Sequence, residues 1–285
     1  MGDVIRGSCL CGDVAWEGEG PLLWLHHCHC SRCRKANGTP FATVGAVPEQ
    51  SFRHLRGRDA IVRWESGSGA VRAFCGRCGS AAPDGTATLG LVFMAAGTLD
   101  DGPGSRPELH IFAASKAPWY EIPDALPRHD AYPPGIDAPV LPDPPRSAPK
   151  PGVLRGSCLC GGVAYEVRGA IQAIRNCHCA RCRKARGAAH ASNLVVAADA
   201  LRFVRGEPLL RSYKIPEARF FTQVFCGTCG AKLPRVDRER GIGVVPMGSL
   251  DDDPGRAPDH HIFVGSKAPW FEIADDLPQH PEAQK

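Results

Sequence analysis

Hydrophobic positions along this chain fall in short runs instead of long periodic stretches. Val14-Ala15-Trp16-Glu17 and Leu91-Val92-Phe93-Met94 have the length and residue types of short strands. Gly and Pro interrupt the chain too often for long helices, and one short helix is expected from about Ser31 to Ala36. The pattern predicts a mainly β protein with little helix.

The runs occur twice. Arg6-Gly7-Ser8-Cys9-Leu10-Cys11-Gly12 returns as Arg155-Gly156-Ser157-Cys158-Leu159-Cys160-Gly161, and Cys28-His29-Cys30-Ser31-Arg32-Cys33-Arg34-Lys35 as Cys177-His178-Cys179-Ala180-Arg181-Cys182-Arg183-Lys184. Phe74-Cys75-Gly76-Arg77-Cys78-Gly79 returns as Phe225-Cys226-Gly227-Thr228-Cys229-Gly230. His110-Ile111-Phe112 and Ser115-Lys116-Ala117-Pro118-Trp119 return as His261-Ile262-Phe263 and Ser266-Lys267-Ala268-Pro269-Trp270. The spacing between copies is 149 residues up to Trp64 and Tyr213, and 151 from Cys75 onward, so the second copy carries a two-residue insertion. This is a duplicated domain, expected over 1–130 and 153–285. The proline-rich stretch 131–152 between them reads as an extended linker. The copies are expected to pack as a pseudo-symmetric pair, an intramolecular pseudo-dimer, with the linker over the outside.

Composition narrows the class. The net charge of +4 over 285 residues is too small to argue for nucleic acid. No apolar run has the length needed to cross a bilayer, and the first residues lack a secretory signal, so a cytoplasmic protein is expected. Fourteen cysteines then change the picture. A reducing compartment disfavours disulfides, seven per copy leave one unpaired, and the short C-x-C and C-x-x-C spacings are those of metal sites.

The seven divide into four and three. Cys9, Cys11, Cys75 and Cys78 can close a four-thiolate site, with Gly12 and Gly79 permitting the tight turns that aim the sulfurs. Cys28, Cys30 and Cys33 form a three-thiol group, which leaves a tetrahedral ion one open position. The second copy repeats this with Cys158, Cys160, Cys226 and Cys229, and with Cys177, Cys179 and Cys182. Other partitions remain open, including closure of the three-thiol groups by His29 and His178, although a residue between two ligands of an extended segment points away from the ion. Zinc on three thiolates is a weak Lewis acid but a good holder of a further thiol, whose thiolate can attack a small aldehyde. Arg32, Arg34 and Lys35, with Arg181, Arg183, Lys184 and Arg186, are candidates to receive the carboxylates of an anionic thiol.

The order S-C-x-C-G, C-H-C-x-x-C-R-K, F-C-x-x-C-G, H-I-F and S-K-A-P-W resembles the glutathione-dependent formaldehyde-activating enzyme family, which includes centromere protein V. The resemblance covers each copy almost end to end. It implies a zinc-binding β-tent fold, one structural and one catalytic zinc per domain (four per chain), and glutathione as the thiol. The implied activity joins glutathione and formaldehyde to S-(hydroxymethyl)glutathione, a carbon–sulfur lyase reaction in the reverse sense. By motif position the four-cysteine sets match the structural ligands, and the three-cysteine sets the catalytic ones. Ala180 stands where Ser31 does, and Ala188-Ala189-His190 replaces Thr39-Pro40-Phe41, departures that bear on substrate preference. Two other functions compete. A tandem zinc module docking protein or nucleic acid predicts a continuous basic face and closed metal sites. The Arg and Lys residues are instead scattered and interrupted by Asp100-Asp101 and Asp251-Asp252-Asp253. A metal or redox sensor needs reactive uncoordinated thiols and ranks third.

Overall fold

A computed structural model of the chain describes residues 3–66, 71–141, 143 and 148–283. It is mainly β, with two seven-residue α-helices among the described residues, α1 (Ser31–Asn37) and α2 (Ala180–Arg186). The strands expected around Val14 and Leu91 form at Ala15–Glu19 and Leu91–Ala95.

In the first copy a four-stranded sheet runs in the order Leu91–Ala95, Ala42–Pro48, Leu23–Cys28, Leu109–Ile111. The last strand lies parallel to Leu23–Cys28, which requires the long crossover that carries the rest of the domain. The second copy repeats this core with Ile242–Pro246, Ala191–Ala197, Ala173–Cys177 and His260–Ile262, and adds Arg235–Asp237 and Gln279–His280 at the edges. Val4–Ser8, Ala15–Glu19 and Arg53–Arg56 make a second sheet, matched by Leu154–Ser157, Ala164–Val167 and Leu201–Arg205. A hairpin of Ile61–Glu65 and Val71–Cys75 is matched by Leu210–Lys214 and Thr222–Cys226. The pairings Trp64 with Arg72 and Tyr213 with Gln223 are equivalent, so the insertion falls in the loop after Lys214.

The hydrophobic cores do not divide at the linker. Ala268 and Trp270 of the second copy pack with Trp16, Leu25 and Met94 of the first. Ala117 and Trp119 of the first pack with Tyr165, Leu194 and Met247 of the second. The A-P-W segments are thus exchanged reciprocally, and burying two tryptophans in this way ties the copies together at about 1.5–3 kcal/mol or more per large apolar side chain. Polar contacts follow the same relation. Lys35 Nζ donates to Asp251 at 2.5 Å and to Ser157 O at 3.0 Å, while Lys184 Nζ donates to Ser8 Oγ at 2.6 Å and to Asp100. Each helix lies on a glycine of the other copy. A Cβ on Gly97 would sit 2.2 Å from Ala188 N, and one on Gly248 would sit 2.4 Å from Arg34 O. Only glycine permits that approach.

The linker has no helix or strand among its described residues 131–141, 143 and 148–152, apart from an isolated bridge of Lys150 with Val153, and 142 and 144–147 lie outside the described residues. It crosses α1, where Ser31 Oγ donates to Asp143 at 2.5 Å and Arg32 Nη1 to Leu141 O at 3.2 Å.

Candidate metal centres

The four-cysteine groups are built by two turns apiece. Cys9 and Cys11 follow the strand Val4–Ser8, while Cys75 ends the strand Val71–Cys75 and Cys78 follows it. Gly12 and Gly79 adopt φ of +79° and +74°, the left-handed region that the turn chemistry demands. All four sulfurs lie within 4.8 Å of one another, and Cys158, Cys160, Cys226 and Cys229 do the same. Three of each four are fully buried, with Cys9, Cys75 and Cys78 inside one core and Cys158, Cys226 and Cys229 inside the other.

The three-cysteine groups sit where a strand runs into a helix. Cys28 ends Leu23–Cys28, Cys30 is the N-cap of α1 with its Sγ accepting from Cys33 N at 3.4 Å, and Cys33 lies in the first turn. Cys177, Cys179 and Cys182 repeat this on α2, again at 3.4 Å. Within each trio the sulfurs also lie within 4.8 Å, and no histidine, Asp or Glu joins either group among the described residues. Neither trio belongs to the two large cores. Cys177 and Cys179 form a small cluster with Ile262.

None of the fourteen cysteines is in a disulfide. Crowding divides the protons unevenly. Hydrogen bonds from neighbouring thiols pull Cys78 far down and push Cys11 far up, and Cys226 and Cys229 divide in the same way. Sulfurs this close cannot all be thiolates unless a cation lies among them. The soft all-sulfur donor set fits a tetrahedral ion such as zinc in all four places.

His29 and His178 do not close the trios. His29 Nε2 lies 2.8 Å from His110 Nδ1, and His110 Nε2 lies 2.9 Å from Asp124. The second copy repeats the chain with His178, His261 and Asp275 at 2.7 and 3.0 Å. Burial pushes His29 down to about 3 and His178 to about 2, so both imidazoles are neutral. The Asp carboxylate then accepts a hydrogen bond from Nε2–H of the middle histidine, whose Nδ1 must accept from the first. These chains anchor the C-H-C segments. Asp124 and Asp275 were not among the residues singled out in the sequence. The signal lay in the repeat itself, which continues past the tryptophan as Glu121-Ile122-Pro123-Asp124 and Glu272-Ile273-Ala274-Asp275.

Between the copies, His27, Phe41, His110, Tyr120, Asn176, His190, His261 and Phe271 line a small cleft with Asp124 and Asp275, admitting about one water molecule. His190 is buried here where the first copy has Phe41, and burial pushes it down to about 3. Its folded value lies below the ordinary 6.5, so on acidification the unfolded chain takes up the proton first. Stability is therefore lost as pH falls from about 6.5 toward 3. We expect His190→Phe to lose less stability than wild type between neutral pH and about pH 4, measured by denaturant midpoints. An equal loss in the two proteins would contradict a buried neutral imidazole.

The candidate cations divide. Arg34 is buried, donating to His29 O at 3.1 Å and Ser115 O at 3.1 Å. Lys35 and Lys184 are taken up by the other copy, as described above. Arg32 reaches the linker, Arg181 is exposed, Arg183 is half-buried, and Arg186 is buried. A further cation comes from outside the motif. Arg72 Nη2 lies 3.6 Å from Cys33 Sγ. The equivalent position holds Gln223, which donates to Ala185 O at 3.2 Å, and no repeat signal marks Arg72.

Fold and site together define a mainly β, duplicated protein with paired all-cysteine clusters that could each hold a metal ion. A model of the glutathione-dependent formaldehyde-activating enzyme family matches residues 4–115 and 153–266, and the chain belongs to that family in tandem duplicate. No curated protein matches the sequence. A crystal structure of a Rhodobacter sphaeroides protein is 31% identical over 36% of this chain and 97% of its own, with a TM-score of 0.31. No described helix is long and apolar enough to cross a membrane.

Proposed function

We propose that this protein is a zinc-dependent carbon–sulfur lyase or synthase that joins glutathione to a small aldehyde, as S-(hydroxymethyl)glutathione synthases do. The observation that carries this reading is the repeated trio, Cys28–Cys30–Cys33 and Cys177–Cys179–Cys182, which offers three sulfurs and no fourth protein ligand among the described residues. The four-cysteine groups take the structural role, giving two zinc ions per copy and four per chain. Zinc bound at a trio would supply a soft cationic centre that lowers the pKa of an added thiol.

In the forward reaction the glutathione sulfur forms a bond to the aldehyde carbon, the carbonyl π pair moves to oxygen, and the thiol proton ends on that oxygen. The chain's own part is to bind and orient. The trios sit at the N-terminal ends of α1 and α2, and the histidine–aspartate chains hold their loops in place. Of the motif cations, Arg32, Arg181 and Arg183 are those left to receive glutathione carboxylates, with Arg34, Lys35 and Lys184 serving the loop and the contact between copies. We take 1–130 and 153–285 as the two domains, paired as an intramolecular pseudo-dimer. Fourteen unpaired thiols suit the reducing cytoplasm.

The test is exchange between glutathione, formaldehyde and their adduct, followed by NMR at equilibrium. The protein is expected to accelerate exchange over the uncatalysed rate, and Cys30→Ser with Cys179→Ser to abolish the acceleration. Exchange at the uncatalysed rate would favour the tandem docking module.

A further inference from the structure

A buried lysine lies where the two copies meet, and among the described residues no carboxylate reaches it. Lys232 is 2% exposed, and its Nζ donates to Gly79 O at 2.5 Å and to Gly230 O at 2.7 Å. These two carbonyls are equivalent, because Gly79 and Gly230 end the F-C-x-x-C-G turns of the two copies. A group that bonds both lies close to the axis relating the copies. The surroundings repeat across it. The Phe74 and Phe225 rings meet edge to face at 6.2 Å, and a Cβ on Gly79 would strike Phe225 as one on Gly230 would strike Phe74.

The lysine itself is not repeated. Phe225 pairs with Lys232 across the strands, and Phe74 bridges Ala81 in the same register, so Ala81 is the counterpart. The packing agrees, since a Cβ on Gly38 would lie 3.0 Å from Lys232 Cβ and one on Gly187 3.4 Å from Ala81 Cβ. Among the described residues no carboxylate pairs with Lys232. Burial and the nearby Arg186 push its ammonium down to about 7, while Cys78 and Cys229, one from each copy, favour its charge.

We infer that Lys232 makes this pairing face selective for an unlike partner: the second copy's face fits a first copy and rejects another second copy. Two second copies face to face would bring two ammonium groups to one buried spot with two carbonyls to share. Two first copies would bring two Ala81 methyls and leave both carbonyls unsatisfied. The Lys35–Asp251 and Lys184–Asp100 pairs are alike on both sides and cannot discriminate. An unlike residue on the axis can, and a tandem chain can place a single one there. The partner this face recognises is a first copy, which argues against pairing of like copies, two second or two first, between chains.

Transposition tests this in the full-length, metal-loaded protein. Ala81→Lys adds a second cation at the axis, and Lys232→Ala removes the first. Each single variant is expected to lower the thermal unfolding midpoint by several degrees, or in the case of Ala81→Lys to prevent folding. The double variant Ala81→Lys with Lys232→Ala moves the ammonium to the other side of the axis. It is expected to recover most of the loss and to keep the wild-type molecular mass by light scattering. A double variant that loses as much as the two singles together, or does not fold, overturns the proposal. The readout is stability and size, so it stands apart from whether the trios act on a thiol.

Discussion

Cys75→Ser is expected to unfold the protein, and Cys30→Ser to leave it folded. Apparent binding free energy at a structural zinc site is about 10–16 kcal/mol, comparable with or larger than the about 5–15 kcal/mol that separates a folded domain from its unfolded chain. Cys75 belongs to a group whose sulfurs are part of the main core, in contact with the same cluster that holds Trp16 and the exchanged Trp270. Loss of that metal therefore removes a core centre and reaches the second copy through the exchanged segment. Cys30 caps a seven-residue helix outside the main cores, where Cys30→Ser retains an oxygen able to cap. Circular dichroism with elemental analysis should find Cys75→Ser unfolded or depleted at two metals or more, and Cys30→Ser cooperative and short of about one. Equal destabilisation by the two substitutions would contradict the division into four and three.

With cobalt in place of zinc, added glutathione is expected to strengthen the sulfur-to-cobalt charge-transfer absorption and to release its proton below the usual thiol pKa of about 8.5. The four-cysteine groups give a constant background, because they have no position to offer. Cys30→Ser combined with Cys179→Ser should abolish the response, and either substitution alone should leave the other copy's share. The two shares need not be equal. Arg72 lies against Cys33, and Gln223 stands in its place in the second copy, so the first trio carries an extra cation that favours bound anions. A wild-type spectrum unmoved by glutathione would place the thiol elsewhere and remove the trios from the reaction.

The organisation of the site was legible because it is written in short spacings. A C-x-x-C pair or a C-H-C run brings sulfurs together through one local turn, whatever the rest of the chain does. The knuckle glycines, the helix after Cys30 and the mainly β character follow from the same local rules, and each formed where the sequence placed it. The alternating geometry of an extended segment also gave the direction of His29, away from the sulfurs. Its destination could not be read, because His110 and Asp124 lie 81 and 95 positions along the chain.

Lys35 and Lys184 mark the limit of such reading. Beside the metal run they look like ligands for an anionic substrate, yet each reaches an aspartate of the other copy. The duplication and the family are determined by the sequence alone, since repeats and short spacings need no tertiary contact to be seen. The spacings favoured the four-and-three division of the cysteines, and the fold gathers the sulfurs that way. The exchange of Trp119 and Trp270 between cores, the cation beside Cys33 and the single lysine on the axis were decided only by the tertiary structure. Each depends on which surfaces of the two copies meet, and that is set by shape and by burial of apolar area over distances of 100 residues and more, not by any local pattern.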